Sequence, residues 1–283
     1  MSERVQITAQ EIRRALDEVE LRDWVQHQRW YASKARSVTG IDIVESITLR
    51  DEPLLLLTLV QTRFATGTHE LYQLPLALRA PESDGIPRGE SIAHTAEWTV
   101  YDALAEPTQA LELLRRIEAA DEITTPEGHF SFYQFDGEQP QYSMSGATDV
   151  RLMGVEQSNT SIVFDDAIVL KVFRKLEPGV NPELEVLRFL TWRGFPNIAP
   201  LHGWYDYEGQ AFQSTLGVAQ TFLPDAVGGW ELALDELWSA PEMFLERLGS
   251  LGTVTAELHT CLASDASDPA FSPDEPSMEA LSL

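Results

Sequence analysis

Apolar residues recur along this chain in two rhythms, and the alternation between them suggests how it is organised. From residue 7 to 33 the positions Ile12, Leu16, Val19 and Leu21 follow the helical period, and the segment "WVQHQRWYASKAR" from Trp24 to Arg36 follows. Two strands are predicted next, Ile41 to Leu49 and Leu54 to Thr62, joined by a turn over Arg50 to Pro53. A third, Glu70 to Arg79, alternates imperfectly through Leu71, Gln73, Leu74 and Leu76. These elements read as a small sheet packed on a helix.

The Pro- and Gly-rich stretch Pro81 to Gly89 marks the first boundary. Beyond it, Trp98 to Ile117 carries helical spacing through Tyr101, Leu104, Leu111 and Leu114, with a break expected at Pro107. Phe130 to Phe135 is a predicted strand. The sharpest local signal is a hairpin, in which "SIVF" and "AIVLKVF" flank a two-residue turn at Asp165 and Asp166. Asn181 and Pro182 then open a helix, because proline in a first turn sacrifices no hydrogen bond. Strands at Ile198 to Tyr207 and Gly217 to Phe222 and helices at Gly228 to Leu237 and Pro241 to Leu262 complete the pattern, and the Ser-, Asp- and Pro-rich residues from Ser264 read as a linker.

Charge narrows the chemistry. The formal net charge is -25, a field that repels phosphate backbones and anionic lipid, so nucleic acid and membrane surfaces are poor partners. The lone cysteine, Cys261, excludes an intrachain disulfide and a thiolate metal cluster, and no metal site is expected. Neither a membrane-spanning run nor a signal core is present in the sequence, which leaves the cytoplasm as the expected compartment.

Only three lysines occur, and one of them, Lys171, interrupts the apolar strand Ile168 to Phe173. By alternation it shares a face with Val169 and Phe173, while Leu170 and Val172 point the other way. An ammonium on a strand covered on both sides needs a carboxylate or a phosphate within reach. Glu183 and Glu185 lie in the first turns of the following helix, and "QSNTS", Gln157 to Ser161, lies one hairpin upstream. A strand lysine, a helix glutamate and a small polar loop are the parts that protein kinases use to hold the phosphates of ATP. The plainer alternative makes "SNTS" an ordinary turn and Lys171 a residue whose head reaches water.

The residues themselves resemble a family. "GVEQSNTSIVFDDAIVLKVFRKLEPGVNPELEVLRFL", Gly154 to Leu190, is similar to the nucleotide-binding lobe of maltokinases, including the maltokinase part of trehalose synthase fusions, within the eukaryotic-like kinase superfamily that includes aminoglycoside phosphotransferases. "LRDWVQHQRWYASKAR", Leu21 to Arg36, resembles the opening of their N-terminal cap, and "AQTFLPDAVGGWELALDEL", Ala219 to Leu237, their hinge and first C-lobe helix. The resemblance implies ATP-dependent phosphorylation of maltose to maltose 1-phosphate for α-glucan synthesis, with trehalose synthase as a candidate partner. It implies that Gln157, Ser158, Asn159, Thr160 and Ser161 sit over the phosphates and that Lys171 holds the α and β phosphates. Glu185 would pair with Lys171, with Glu183 left open by the helical phase. The backbone around Gln220 would meet adenine, with Phe222 and Leu223 lining the pocket. In the cap, Trp30 is expected to pack, with Arg29 and Lys34 paired to nearby acids.

One part of the family pattern is missing. The His-Gly-Asp-x-His loop that supplies a catalytic base, and the later Asp that binds Mg²⁺, do not occur in these 283 residues. The one His-Gly pair, His202 and Gly203, falls before the hinge and reads as a strand end. The expected fold is therefore α+β: an α/β cap (1–89), a kinase-like N-terminal lobe of antiparallel sheet plus helix (90–224), and the start of a C-lobe with a linker-like terminus (225–283). The C-lobe is largely missing, so the chain reads as an N-terminal portion that binds ATP but is inactive alone. The alternatives kept open are a kinase of another sugar, such as glucosamine, and a non-catalytic nucleotide-binding or partner-docking module.

Overall fold

Long apolar strands decide the architecture of the first of two units, residues 1–184 with 201–222; the second unit holds 185–200 and 223–283. The computed structural model of the protein describes residues 16, 18–80, 91–94, 98–137, 144–154 and 158–273. The fold is mixed α/β with two antiparallel sheets.

Helix α1 (Glu18–His27) ends before the helical spacing does at residue 33, and residues 7–15 of the predicted helix lie outside the described residues. The chain leaves it because Trp30 and Tyr31, adjacent in sequence, are both drawn against Tyr72, with ring centroids 5.7 and 5.4 Å away. The first sheet comprises β1 (Val38–Arg50), β2 (Leu54–Phe64), β3 (His69–Arg79), β4 (Ser91–His94) and β5 (Thr99–Asp102), in the order β1-β2-β3-β5-β4. In β2 the run Leu54 to Val60 is buried throughout, and since strand residues alternate in direction, both faces of the sheet are covered there.

Two sequence expectations are corrected in this region. The segment from Trp98 does not begin as a helix, because Thr99, Val100 and Tyr101 suit a strand and insert between β3 and β4. Asp102 then accepts from the amide of Leu104 (3.0 Å), Pro107 opens a second tight turn, and only Leu111–Ala119 forms helix α2. The first sheet also continues past the boundary suggested at residue 89, through β4 and β5 to Asp102. The stretch 81–90 itself lies outside the described residues.

The second sheet begins with β6 (Glu122–Thr124), β7 (Gly128–Gln134), β8 (Val150–Leu152), β9 (Asn159–Phe164) and β10 (Ile168–Phe173). After β10 the chain steps into the first sheet as β11 (Lys175–Leu176), which pairs with β3, and then forms helix α3 (Pro182–Trp192). It returns as β12 (Leu201–Gly209) and β13 (Gln213–Thr221), giving the order β6-β7-β12-β13-β10-β9-β8. The predicted hairpin is present: Asp165 and Asp166 take left-handed φ of 48° and 51°, which aspartate tolerates better than most residues. The register pairs Phe164 with Ile168, so the connection takes Ala167 as well as the two aspartates.

Buried Gln73 ties the two sheets together. Its amide nitrogen donates to the carbonyls of Phe173 (3.0 Å) and Leu216 (2.8 Å), its amide oxygen accepts from the Tyr205 hydroxyl (2.9 Å), and its backbone N–H donates to the Arg174 carbonyl (2.8 Å). A polar side chain at this depth persists because its hydrogen-bonding groups find partners.

The second unit is helical, with α3 divided from the first unit after Leu184, and with α4 (Gly229–Ser239) and α5 (Pro241–Leu262). Phe189, Leu190, Phe195 and Phe271 form its buried cluster, with Phe189 and Phe271 stacked at 3.7 Å. Residues 264–273 are therefore not a free linker, since Phe271 anchors them and Asp265 accepts from Arg193 at 2.9 Å. Among the described residues no helix is long and apolar enough to cross a membrane.

Candidate functional site

Lys171 lies in β10 between Ser161 of β9 and Val218 of β13, and it is one-quarter exposed. Its ammonium donates to Oε1 of Glu183 at 2.5 Å. Glu183 is placed by a helix start built as the sequence suggested. The Asn181 side chain accepts from the Glu183 amide (2.8 Å), an N-cap, while the Asn181 amide donates to the hydroxyl of Thr215 (3.0 Å). The carboxylate that meets Lys171 is thus Glu183 rather than Glu185. Two residues along an α-helix turn a side chain by roughly 200°, so the two glutamates cannot serve one point alike.

The polar loop enters β9 on the neighbouring strand. Ser158 is exposed, Asn159 and Thr160 are half-buried, and Ser161 is buried. Gln157 lies outside the described residues. The root of the loop is closed by the Met153 amide, which donates to the Ser161 carbonyl at 2.9 Å. Thr160 departs from the role implied for it, because its hydroxyl accepts from Nε of Arg174 at 2.8 Å on the sheet face opposite Lys171.

Arg174 was not singled out from the sequence, yet it is the largest fully buried side chain, at 2% exposure. Its Nη2 donates to Asp102 at 2.7 Å, and its guanidinium lies 5.4 Å from the Trp30 ring centroid. The available signal was an arginine three residues beyond Lys171, in phase with the apolar Leu170 and Val172. A cleft of about 270 Å³ opens on this side, lined by Gln28, Arg29, Trp30, Asp102, Asn159, Thr160 and Arg174 among others, and Lys171 is not part of its lining.

At the end of β13 the side-chain oxygen of Gln220 is buried without a hydrogen-bond partner. The Phe222 amide donates to the Ala167 carbonyl (2.8 Å), so it is already engaged, and the Arg151 guanidinium sits 5.3 Å from the Phe222 ring centroid. Leu223 belongs to the second unit and is half-exposed. His202 is held by Thr221 (2.9 Å), and burial lowers its pKa, which keeps the imidazole neutral. Trp30 is buried, whereas Arg29 and Lys34 are exposed. Nearby, Glu70 receives Ser33, Tyr72 and Lys175; burial alone would raise its pKa, but these partners hold it below the usual carboxylate range.

The strand lysine, its helix glutamate and the polar loop define a kinase-like arrangement, and comparison with solved structures agrees at the level of fold. A glucosamine kinase in complex with glucosamine, ADP and inorganic phosphate superposes with a TM-score of 0.53 at 19% identity, over 86% of this chain and 51% of that one. Another glucosamine kinase structure, crystal form A, gives 0.52 at 17% identity, over 86% and 52%. Residues 24–106 match the family model of the maltokinase N-terminal cap domain, which supports the maltokinase resemblance for the N-terminal portion. Among curated proteins, the glucosamine kinase of Mycolicibacterium smegmatis is 28% identical over 158 residues, 53% of this chain and 38% of that protein. That of Streptacidiphilus jiangxiensis is 28% identical over 160 residues, 53% and 35%. The chain thus matches well under half the length of these relatives.

Among the described residues no group of three or more His, Cys, Asp or Glu side chains is placed to hold a metal ion.

Proposed function

We propose that this chain carries the cap and the ATP-binding lobe of a sugar kinase that phosphorylates maltose at its anomeric hydroxyl. The observation that carries the reading is the Lys171–Glu183 pair, set one strand away from a small polar loop. Glu183 holds the ammonium toward the α and β phosphates; Ser158, Asn159 and Ser161, with the backbone at Thr160, approach the phosphate oxygens. Gln220 and Phe222 lie where adenine would enter, and residues 24–106 form the cap. Mg²⁺, supplied with ATP, would neutralise phosphate charge, but its ligands and the base that takes the sugar proton are not among these residues. The part of the work assigned here is nucleotide capture, and transfer needs carboxylates outside it.

Maltose is favoured by the cap match, and maltose 1-phosphate then feeds α-glucan synthesis, with trehalose synthase as a candidate partner. Glucosamine is the second reading, because the curated relatives carry that name. A thermal-unfolding assay with ATP and Mg²⁺ tests the shared step. Ligand at 100 times its dissociation constant adds about 2.7 kcal/mol, and Lys171→Ala abolishes the gain. An unshifted wild-type protein overturns the reading. A panel of maltose, glucosamine and glucose, added with ATP to the complete enzyme, separates the two sugars.

A further inference from the structure

Strand β13 carries the reference points for both partners of the Lys171–Glu183 pair. It lies directly beside β10, with Val218 opposite Lys171. Earlier in the same strand Thr215 is buried, at 5% exposure, and its hydroxyl accepts the Asn181 amide at 3.0 Å. The Asn181 side chain in turn accepts the Glu183 amide at 2.8 Å, and the Glu183 carboxylate accepts the Lys171 ammonium at 2.5 Å. The connector before α3 is stitched to β13 as well. The Gly179 amide donates to the Gln213 carbonyl (2.8 Å), the Gly179 carbonyl accepts the Thr215 amide (3.4 Å), and the Ser214 hydroxyl donates to the Glu177 carbonyl (2.8 Å). Gly179 makes both bonds at a φ of 95°, a left-handed conformation that glycine adopts without strain. All of these residues belong to the first unit.

We propose that Thr215, acting through Asn181, is a positioning residue that sets the Glu183 carboxylate against Lys171 before a nucleotide arrives. The proposal rests on the reading of Lys171 as the holder of the α and β phosphates. Its physical basis is that one strand fixes both ends of the ion pair, so their separation is set by short hydrogen bonds to a buried hydroxyl. Charge alone is a poor restraint here. The two side chains are 24% and 33% exposed, and in that setting side-chain entropy and solvent screening offset most of the attraction. The relay from Thr215 supplies the restraint: the N-cap fixes the first turn of α3, and the first turn carries Glu183. Serine can replace threonine in this role because the hydroxyl is the working group, whereas valine, of nearly the same shape, has no acceptor to offer.

The variants Thr215→Val, Thr215→Ser and Asn181→Ala test the relay by two readouts. The chain has only three lysines, Lys34, Lys171 and Lys175, so limited acylation with acetic anhydride followed by peptide mass analysis reports each side-chain amine separately. An amine held as an ammonium against a carboxylate acylates slowly. Lys171 is therefore expected to react about five-fold faster, relative to Lys175 of the same molecule, in Thr215→Val and Asn181→Ala, and at the wild-type rate in Thr215→Ser. Calorimetric titration is expected to show ATP bound about five-fold more weakly in the first two variants and normally in Thr215→Ser, with adenosine, which has no phosphates, unchanged within about two-fold. A helix cap that only adds stability moves neither the acylation ratio nor the difference between ATP and adenosine. Asn181→Ala decides the matter if Thr215→Val does not fold. Unchanged Lys171 reactivity in the folded variants overturns the proposal, and so does an equal weakening of ATP and adenosine or a failure of Thr215→Ser to restore both readouts. A wild-type protein that binds neither ligand removes the nucleotide reading instead, and acylation then still decides whether Thr215 positions Glu183.

Discussion

Trp30 and Trp238 are the same side chain in opposite circumstances. Trp30 is 6% exposed, edge-on to Trp24 at 5.9 Å and tilted against Tyr72, inside the core of the first sheet. Trp238, at the end of α4, is 91% exposed, and Trp230 on the same helix is 76% exposed. The first unit packs its large side chains internally, down to a buried arginine and a buried glutamine with partners on several strands. The second leaves apolar side chains in water along both long helices, including Leu245 and Leu251 of α5. Burial in the first unit thus goes with fixed geometry at the site, and the second unit contributes surface rather than a finished core.

The largest expected effect sharpens this contrast directly. Trp30→Ala removes a buried aromatic and should cost about 3–5 kcal/mol of stability, whereas Trp238→Ala should stay within about 0.5 kcal/mol. Urea unfolding of the two variants beside the wild type makes the comparison. Equal costs would mean that Trp238 is packed as firmly as Trp30 and would break the distinction between the units.

A smaller effect concerns a charge buried in the first unit. Burial pushes the Asp206 carboxyl up to about 6, against a lowering contribution from His129 and a raising one from Glu208. The folded state then holds a proton that the unfolded chain releases near pH 4. Stability from this group therefore falls as pH rises from about 4 to about 6, and the full cost persists above that window. Asp206→Asn should stabilise the protein by about 2 kcal/mol at pH 8, and the gain should vanish toward pH 4. No gain at pH 8, measured by urea unfolding, would show that the carboxylate is solvated, and a gain equal at both pH values would show that it does not come from the charge.

Period and punctuation made much of the first unit legible in the sequence. The strands around Leu54–Phe64 and Ile168–Phe173, the Asp165–Asp166 turn and the Asn181–Pro182 helix start all follow from local rules. What was not legible depends on distant partners. Thr99 to Asp102 carries helical spacing, but the open edge of β3 captures it as a strand. The choice between Glu183 and Glu185 turns on how Asn181 caps α3, and that cap rests on Thr215, 34 residues away. Arg174 carries no sequence expectation, because nothing local announces that Asp102 and Thr160 converge on it. Helical spacing predicts α4 and α5, yet spacing states which face is apolar and not what covers it.

The smallest expected effect on stability tests that uncovered face. Trp230 and Trp238 lie eight residues apart on α4, about two turns along and about 80° around the axis, and Leu234 midway between them is half-exposed. A contiguous apolar strip of this kind in water favours contact with another apolar surface, and in a purified sample the available surface is a second copy. The protein is therefore expected to self-associate at high concentration, with an average mass in light scattering that rises with dilution reversed. Replacing both Trp230 and Trp238 by Ser should restore a constant monomer mass while changing unfolding free energy by no more than about 0.5 kcal/mol for each site. The net charge of -25 opposes association through long-range repulsion, so added salt, which screens that repulsion over about 10 Å at 0.1 M, should strengthen it. A wild-type mass that stays monomeric at every salt concentration would mean that the strip is too weakly apolar to act, and the contrast with the first unit would then be one of packing alone.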